Sequence, residues 1–393
     1  MFHAMDIALY PQELENWWLG ELDRQLGRKH TPADLRKLEE PVAALSDRFT
    51  TERSPGFAGY ADDDRMLLAY GLFFFPQNFV RVQLVLNEAL RVSRWTAPSG
   101  RPLRILDLGA GTGAAGLSVA SRLAQDAGRD MELHALDHSA VSLGILDRVF
   151  QVVSPTLCPL TELFTYQGHL LHPPKSLAGP WDVIVVSYAL NEVALSRPED
   201  EIRSWLRTTI GELAADGLLL ICEPVVKAST ERIEKLRDWI MANRVAQVLA
   251  PCPHGKPCPM LALRKGWCHD VRRWQIPESV SFINRRLFRE IDVLKFSFLA
   301  LSRHAQAPPP DTADHCRLVA PVMAHKGKLV FTGCAGDGEL HVYEILTRTL
   351  SRAEEDDLLS LERGERIRWP GCQPLGDGAT LRANGRPERM TDE

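Results

Sequence analysis

The sequence predicts a doubly wound α/β fold, preceded by a helical region and followed by a cysteine-rich extension with further strands. Short apolar runs alternate with helical patterns from residue 101 to residue 249, which is typical of a parallel sheet with helical crossovers. A glycine-rich turn joins the first apolar run to a helix, the usual position of a nucleotide-like ligand. Pro251 then ends the alternation, so a different kind of segment begins there.

The N-terminal region, residues 1–98, is expected to be helical. Thr31 is a good N-cap residue for a helix that begins with Pro32, because a threonine oxygen accepts from free N–H groups and proline fits the first helical position. Two further helical patterns occupy Arg65–Tyr70 and Phe79–Val92.

The α/β domain, residues 99–249, is expected to alternate between strands and helices. The predicted strands are Arg104–Leu108, Glu132–Leu136, Asp182–Tyr188 and Leu218–Cys222. The predicted helices are Ala114–Ala124, Ser139–Val149, Asp200–Leu213 and Thr230–Val248.

The extension, residues 250–375, begins with a stretch rich in Cys, Pro, Gly, His and Trp. Such a segment seldom folds on apolar burial alone and usually needs a metal or another staple. Strand-like runs return at Phe296–Leu301, Lys328–Phe331 and Glu339–Leu346. The polar residues 376–393 are expected to be a disordered tail.

Composition narrows the classes of function. The chain has 393 residues, is 45% hydrophobic and carries a net charge of −5, which argues against a protein that coats nucleic acid with its whole surface. We expect no membrane span and no signal peptide, because no long apolar run occurs and residues 1–12 lack a basic-then-apolar pattern. The eight cysteines are partly clustered, which in a cytoplasmic protein favours metal or cluster ligation over disulfides.

The glycine-rich turn reads Asp107-Leu108-Gly109-Ala110-Gly111-Thr112-Gly113. Its glycines let the backbone approach a ligand closely. Gly111, Gly113 and Gly116 also fit the dinucleotide pattern G-x-G-x-x-G, and a plain glycine turn is the third alternative. An acid at position 107 would repel a pyrophosphate but suits a ligand with a positive end. The turn resembles motif I of class I S-adenosylmethionine (SAM) methyltransferases, which implies that Asp107, Gly109, Gly111 and Gly113 bind SAM.

Two further groups of residues are candidates for the same site. Asp137 ends the second predicted strand, where an acid accepts hydrogen bonds from ribose hydroxyls; its alternative role is to cap the next helix, which Ser139 could also do. Tyr188 ends the third predicted strand, and Asn191 and Glu192 follow it, where amino-directed methyltransferases often carry a Pro-Pro motif that this chain lacks. They are the candidate catalytic residues, or else a wall without catalysis.

Three cysteines and two histidines fall within one short stretch after Pro251. The cysteines are Cys252, Cys258 and Cys268, with spacings that match no common zinc finger. Thiolates are soft ligands that suit iron–sulfur clusters or zinc. Cys334, in a glycine turn after a strand, is the best candidate for a fourth ligand. Cys316, His254 and His269 are the other candidates, and unligated surface thiols are the alternative to any site.

The motifs C-P-H-x3-C-P, W-C-H and a late C-x-x-D-G resemble the small-ribosomal-subunit-associated methyltransferase-like family. The family includes mitochondrial ribosome assembly factors and their bacterial relatives, and the resemblance covers most of the chain. It implies a class I SAM-methyltransferase fold, partners in the small ribosomal subunit and its RNA, and a [4Fe–4S] cluster on Cys252, Cys258, Cys268 and Cys334. Zinc on the same cysteines is the alternative.

A basic segment follows the cysteines. Aromatic residues, among them Trp267, Trp274, Phe282 and Phe288, are interleaved with it. Guanidinium groups bind phosphates and aromatic rings stack on unpaired bases, so we expect RNA and not DNA as the partner; an ordinary solvated helix face is the alternative. The candidate RNA-binding residues are Arg264, Lys265, Arg272, Arg273, Arg285, Arg286 and Arg289, with Lys295 nearby.

The residues support three functional hypotheses. The first is a SAM-dependent methyltransferase that acts on ribosomal RNA, although no residue stands out as a general base. The second is a non-catalytic assembly factor that binds SAM and the maturing small subunit. The third is a small-molecule methyltransferase with a structural zinc, which predicts no affinity for RNA.

Overall fold

The structure is a computed structural model that describes residues 9–50, 60–93, 95–125, 128–194, 197–263, 266–287, 292–303, 313–376 and 380–390. Helices cover most of the described residues before the first strand. Thr31 is the N-cap predicted for the helix at Pro32. The helices here are α1 Gln12–Leu26, α2 Pro32–Arg36, α3 Glu39–Thr50, α4 Asp64–Ala69, a π-helical turn Tyr70–Phe74 and α5 Phe75–Val92, with a 3-10 turn at Tyr60–Asp62.

The N-terminal helices pack onto the α/β domain through large apolar side chains. Trp18 of α1 is fully buried, and a Cβ on Gly71 would lie only 2.1 Å from its ring, so the two segments are in close contact. Helix α5 packs on the first crossover helix, where the Ser118 hydroxyl donates to the carbonyl of Phe79 at 2.7 Å. The helical region and the α/β domain therefore share one core.

An eight-stranded sheet forms the α/β domain in the order β3-β2-β1-β4-β5-β8-β6, with β7 also paired to β8. Strands β1 to β5 pair in parallel, and β8 runs antiparallel to β5. The strands are β1 Leu103–Leu108, β2 Met131–Asp137, β3 Thr161–Gln167, β4 Trp181–Ser187, β5 Leu213–Glu223, β6 Gln247–Ala250, β7 Asp270–Arg273 and β8 Val293–Ser302.

Helices cover both faces of this sheet, which confirms the doubly wound α/β fold. Alternate residues of each strand enter different cores: Ile105 and Val183 face α5 and α6, whereas Leu106 and Ile184 face α9. The strand order reverses between β1 and β4, the switch point at which such sheets bind ligands. The helices are α6 Ala114–Ala124, α7 Ala140–Leu157, α8 Leu190–Val193, α9 Glu199–Gly211, α10 Lys227–Asn243, α11 Pro259–Ala262 and α12 Glu278–Arg286, with a 3-10 turn at Lys175–Leu177.

One predicted helix of the α/β domain needs correction, and one strand was missed. The helix expected to continue to Val248 ends at Asn243, because Arg244 adopts a left-handed backbone with φ 52°. The residues that follow form β6 against β8. Strand β3 was not predicted, since this edge strand carries mainly half-exposed and polar side chains and has no apolar run.

A second sheet of eight strands forms the C-terminal part, in the order β14-β15-β12-β11-β9-β13-β16, with β10 paired to β11. Its core contains Tyr343 stacked on Trp369, with ring centroids 4.7 Å apart. The elements are β9 His315–Leu318, β10 Met323–His325, β11 Lys328–Ala335, β12 Leu340–Leu346, a 3-10 turn Thr347–Thr349, α13 Arg352–Leu359, β13 Arg366–Arg368, β14 Cys372–Leu375, β15 Thr380–Ala383 and β16 Glu388–Arg389.

The expectation of a disordered tail over residues 376–393 is wrong for the part that the structure describes. Strand β15 pairs with β12 in parallel and with β14, and β16 pairs with β13. The polar composition gave no sign of these strands. They form by backbone pairing with distant segments and not through a local apolar pattern.

Buried ion pairs join the second sheet to the rest of the protein. Glu88 of α5 accepts from Arg366 of β13 at 2.8 Å, and both side chains are largely buried. Arg317 of β9 pairs with Asp270 of β7. Breaking one partner of a buried pair leaves an uncompensated charge, so these contacts fix how the two sheets are placed.

Candidate functional site

The glycine turn lies at the switch point, where β1 passes into α6. The N–H groups of Gly109 and Ala110 both donate to the carbonyl of Leu136, at 2.8 and 3.0 Å, and so tie the turn to the end of β2. Gly109, Gly111 and Gly113 all have positive φ, at 79°, 53° and 93°. Side chains other than glycine are strained in this region, so the turn needs these residues.

Packing within the protein also requires the glycines. A Cβ on Gly109 would lie 2.4 Å from Ala189, and one on Gly113 would lie 2.2 Å from Leu146. A Cβ on Gly111 would lie 2.8 Å from the Tyr60 hydroxyl. The sequence interpretation assigned the glycines to ligand approach alone, whereas the structure shows that protein side chains already occupy the space beside them.

Asp107 is a buried carboxylate at the end of β1. Its Oδ2 accepts from the Gly116 N–H at 2.7 Å, and its Oδ1 has no hydrogen-bond partner among the described residues. Burial raises the pKa of Asp107 to about 7, and the nearby Asp137 carboxylate acts in the same direction. An acid with a free oxygen and a raised pKa would be stabilised by a cation.

Asp137 ends β2, the strand beside β1, and is held by backbone N–H groups. Its Oδ2 accepts from Gly111 and its Oδ1 from Ser139, both at 2.8 Å. Ser139, and not Asp137, caps α7, because its hydroxyl accepts from the Ser142 N–H at 3.1 Å. Burial acts to raise the pKa of Asp137, but hydrogen bonds from His138, Ser139 and Gly111 outweigh it and lower the pKa.

Two tyrosines that the sequence analysis missed complete this site. Tyr60 and Tyr70 stack with ring centroids 4.0 Å apart, and the Tyr60 hydroxyl lies over Gly111. Tyr70 belongs to the π-helical turn, a rare feature that is frequent at functional sites. The sequence around these residues carries no motif, and a π-turn has no sequence signature, so only the structure reveals them.

The predicted catalytic candidates lie beside the glycine turn, since Ala189 contacts Gly109. Tyr188 has a left-handed backbone with φ 59°, which is strained for this residue, and the Arg81 guanidinium lies 5.3 Å from its ring centroid. Asn191 is buried, and its Oδ1 lacks a partner in the described part of the chain. Glu192 is exposed.

Three predicted ligands, Cys252, Cys258 and Cys268, line one small cavity between α10 and β8. We call this cavity the cysteine pocket. Cys334 of β11 packs beside Cys258 and Cys268. Burial raises the pKa of Cys334, and so do the neighbouring thiols of Cys252, Cys268 and Cys258. The structure therefore brings all four predicted cysteines to one place, although they are far apart in sequence.

One face of α10 holds the cysteine pocket in shape. The Glu234 carboxylate accepts from the Cys268 N–H at 2.6 Å, and the Asp238 carboxylate accepts from the Cys258 N–H at 3.0 Å. Arg237, on the same face and buried, donates to the carbonyl of His254 at 2.5 Å. These three positions repeat at helical spacing, so a regular helix orders an otherwise irregular loop.

The other candidates for the fourth ligand have different roles. Cys316 lies in the core of the second sheet, where it accepts from the Trp369 indole N–H at 3.2 Å. His254 contacts the Cys334 sulfur at 3.2 Å. His269 lines the pocket, and its Nδ1 lies 3.2 Å from the carbonyl of Trp267. Among the described residues, no group of three or more His, Cys, Asp or Glu has the arrangement to hold a metal ion.

The basic segment is only partly a surface. Arg272 needs correction as an RNA-binding candidate, because its guanidinium is largely buried, pairs with Asp270 and donates to the carbonyls of Arg363 and Gly364. Among the described basic residues of this segment, three are exposed: Arg273, which pairs with Glu362 at 3.2 Å, Arg285 and Lys295. We call them the basic surface. Arg264, Lys265 and Arg289 lie outside the described residues, as does the side chain of Arg286.

Among the described residues, the aromatic side chains of this segment do not form the expected stacking surface. Trp274 is buried in the core shared with the N-terminal helices, and Phe282 packs against the same core. Trp267 is half-buried, and Phe288 lies outside the described residues. Trp274 and Phe282 pack inside the protein. A sequence in which aromatic and basic residues alternate does not distinguish such packing from a surface that stacks on bases.

The family model described as Mitochondrial small ribosomal subunit Rsm22 matches residues 65–354, most of the chain. The chain belongs to the Rsm22 family. A human relative, the mitochondrial ribosome assembly protein METTL17, is 25% identical over 183 residues. That match covers 44% of this chain and 38% of METTL17, so the chain spans well under half the length of this relative.

Solved structures with similar folds include methyltransferases. A class I SAM-dependent methyltransferase from Listeria monocytogenes has a TM-score of 0.41 and 13% identity, over 77% of this chain and 90% of its own. TrmN from Thermus thermophilus has a TM-score of 0.31 and 16% identity, over 58% of this chain and 52% of its own. The class I methyltransferase fold of the Rsm22 family protein is seen directly in its own sheet order and glycine turn.

The expectation of a cytoplasmic protein is wrong, because the Rsm22 family and the human relative both carry mitochondrial descriptions. The sequence argument addressed a secretory signal, which has a different composition from the signals that direct mitochondrial import. None of the described helices is long and apolar enough to cross a membrane.

Proposed function

We propose that this Rsm22 family protein binds SAM and small-subunit ribosomal RNA during ribosome assembly, and that it carries a [4Fe–4S] cluster on its four converging cysteines. The observation that carries the SAM assignment is the buried Asp107, whose Oδ1 has no hydrogen-bond partner among the described residues. A buried carboxylate oxygen without a partner is costly, and a cationic ligand would remove that cost.

The residues of the switch point divide the recognition of SAM between them. Asp107 supplies a negative charge for the positive methionine end, and Asp137 has oxygens at the end of β2 where a ribose is bound in such folds. The stacked Tyr60 and Tyr70 close the side of the site above Gly111. When bound, SAM supplies an electrophilic methyl group, while these residues position it and exclude water.

The raised pKa of Asp107 predicts a pH dependence of SAM binding. Below its pKa of about 7 the carboxyl is protonated and neutral, so the affinity for a cationic ligand falls as the pH falls. We expect a decrease approaching about tenfold per pH unit below that value. Calorimetric titration with SAM across this range measures it. The matched variant Asp107→Asn should bind weakly at every pH; if it keeps the same pH profile, Asp107 is not the responsible group.

The cysteine pocket fits an iron–sulfur cluster by the chemistry of its donors. Cys252, Cys258, Cys268 and Cys334 are soft sulfur ligands, and buried Arg237 and Arg317 offset their negative charge. Cluster ligation spreads four thiolates over four irons and does not require the sulfurs to meet around a single ion. Zinc on the same cysteines is the alternative. When bound, the cluster would supply a rigid anionic centre that links the cysteine pocket to β11.

The basic surface predicts how the protein binds RNA. Reversing Arg273, Arg285 and Lys295 to Glu should weaken binding to small-subunit ribosomal RNA and lower the slope of log affinity against log salt by about 2. Filter binding at several salt concentrations measures both quantities. The control reverses three exposed basic residues elsewhere, Lys175, Lys326 and Arg352. Equal loss in both variants, or no RNA affinity in the unaltered protein, would contradict the proposal and favour a small-molecule methyltransferase.

Methyl transfer to that RNA is a second candidate function, which the strained backbone of Tyr188 favours. Strain at the end of a strand beside a cofactor turn costs about 1–3 kcal/mol and is typical of functional positions. Incubation with tritiated SAM and precursor small-subunit RNA tests it. Label in the RNA that is lost in Asn191→Ala supports an enzyme, whereas RNA binding without label supports an assembly factor.

A further inference from the structure

We propose that Arg317 is a positioning residue for the metal centre of the cysteine pocket: it holds the Cys268 sulfur in place by a hydrogen bond and sets the reduction potential of the bound cluster. This inference rests on the proposed cluster function. It adds a role for a residue that belongs to none of the cysteine, glycine or basic motifs of the sequence.

The geometry of Arg317 is specific for sulfur recognition. One guanidinium nitrogen, Nη1, donates to the Cys268 Sγ at 2.8 Å. The other terminal nitrogen, Nη2, pairs with the Asp270 carboxylate. The side chain is only 3% exposed, so water competes little for either contact. The guanidinium fork therefore joins a sulfur ligand to a fixed carboxylate.

The position of Arg317 in the second sheet links it to another ligand. Arg317 is the cross-strand partner of Cys334 in the pairing of β9 with β11. The paired strands β9 and β11 thus supply one sulfur ligand, Cys334, and contact a second, Cys268, through Arg317. The backbone of β9 is held by β13 on its other side, so the strand that carries Arg317 is paired on both edges.

A buried cation that hydrogen-bonds a ligating thiolate has two physical effects. It fixes the position of the sulfur ligand, which strengthens retention of the metal. It also stabilises the more negative, reduced form of a cluster, because hydrogen bonds to sulfur and the local net charge set the potential. Reduction adds one electron, taken from the external reductant of the measurement, to the oxidised cluster.

The neighbouring Arg366 offers a matched control. It is the cross-strand partner of Arg317 on β13, and it pairs with Glu88 and not with a sulfur. Removing either arginine leaves its acid with a second partner: Asp270 keeps Arg272, and Glu88 keeps Arg91. The two substitutions therefore remove similar ion pairs from the same sheet, but only Arg317 contacts a predicted ligand of the metal centre.

The test compares Arg317→Met, Arg317→Lys and Arg366→Met in the anaerobically purified full chain. We expect Arg317→Met to release metal to a chelator several-fold faster and to shift the reduced-to-oxidised ratio about tenfold toward the oxidised form, equivalent to about 59 mV for one electron. Arg317→Lys, which keeps the charge but loses the fork, should lie between. Arg366→Met should match the unaltered protein in both measurements.

The outcomes separate this proposal from the cluster assignment. Unchanged release and potential in folded Arg317→Met would overturn the role of Arg317 while leaving the cluster in place. Zinc in the unaltered protein would overturn the cluster, and faster zinc release in Arg317→Met would still support the role of Arg317. If Arg317→Met does not fold, Arg317→Lys becomes the test. A rate of metal release and a reduction potential equal to those of the unaltered protein would then overturn the proposal. A protein without bound metal overturns both.

Discussion

Cys258→Ser is expected to lose nearly all of the iron and sulfide that the unaltered protein retains on anaerobic purification. A serine oxygen is a hard ligand, whereas the thiolate that it replaces is soft. Cys258 lines the cysteine pocket. The unaltered protein should contain about four irons and four sulfides per chain, with broad visible absorbance. Elemental analysis together with the visible spectrum measures the loss.

Cys372→Ser is the control for this substitution. Cys372 is a free, half-buried cysteine like Cys258, but it lies on β14 at the edge of the second sheet and away from the pocket. We expect its iron, sulfide and spectrum to equal those of the unaltered protein. One zinc per chain without sulfide would instead make the pocket a structural zinc site and would reopen the small-molecule alternative.

Loss of the metal centre should also loosen the second sheet. The pocket draws its cysteines from the loop after β6, from the segment just before β7 and from β11, so the ligands lie beside strands of both sheets. Metal binding is then part of the folding free energy. The ion pairs of Arg366 with Glu88 and of Arg317 with Asp270 would remain, so we expect local opening and not global unfolding in Cys258→Ser.

The glycine turn and its flanking strands were predictable from sequence because their signals are local. Strand β1 is mostly apolar, since both of its faces are largely buried. The turn conformation needs glycine whatever surrounds it. Cys334 was the best candidate for a fourth ligand because it lies in a glycine turn after a strand, and the family resemblance implied the same set of four cysteines.

The features that sequence did not predict depend on contacts that only the folded chain brings together. Arg272 looked like a surface cation, but Asp270 and the carbonyls of a distant loop bury it. Tyr60 is placed by stacking on Tyr70, and Arg317 by a sulfur far away in sequence. Periodicity and composition report which faces of an element are apolar, and they carry no information on which charge meets which partner.

Gly111→Arg is expected to weaken SAM binding by about 100-fold or more, equivalent to about 2.7 kcal/mol. Gly111 has φ 53°, where an ordinary side chain costs about 1–2 kcal/mol. A Cβ there would also lie 2.8 Å from the Tyr60 hydroxyl, so the new side chain must displace the stacked tyrosines or fill the site. Its positive charge would then neutralise Asp107 in place of the ligand. Calorimetric titration with SAM measures the loss.

Gly144→Arg is the matched control, because Gly144 is exposed on α7 with no atom near its Cβ position and should leave SAM affinity unchanged. Circular dichroism of both variants separates a lost site from a lost fold. Gly111→Arg also tests whether SAM binding is required for small-subunit assembly. If folded Gly111→Arg loses SAM but still supports small-subunit assembly in cells that lack the protein, RNA binding is the essential activity. If assembly fails as well, the function of the basic surface depends on the occupied SAM site.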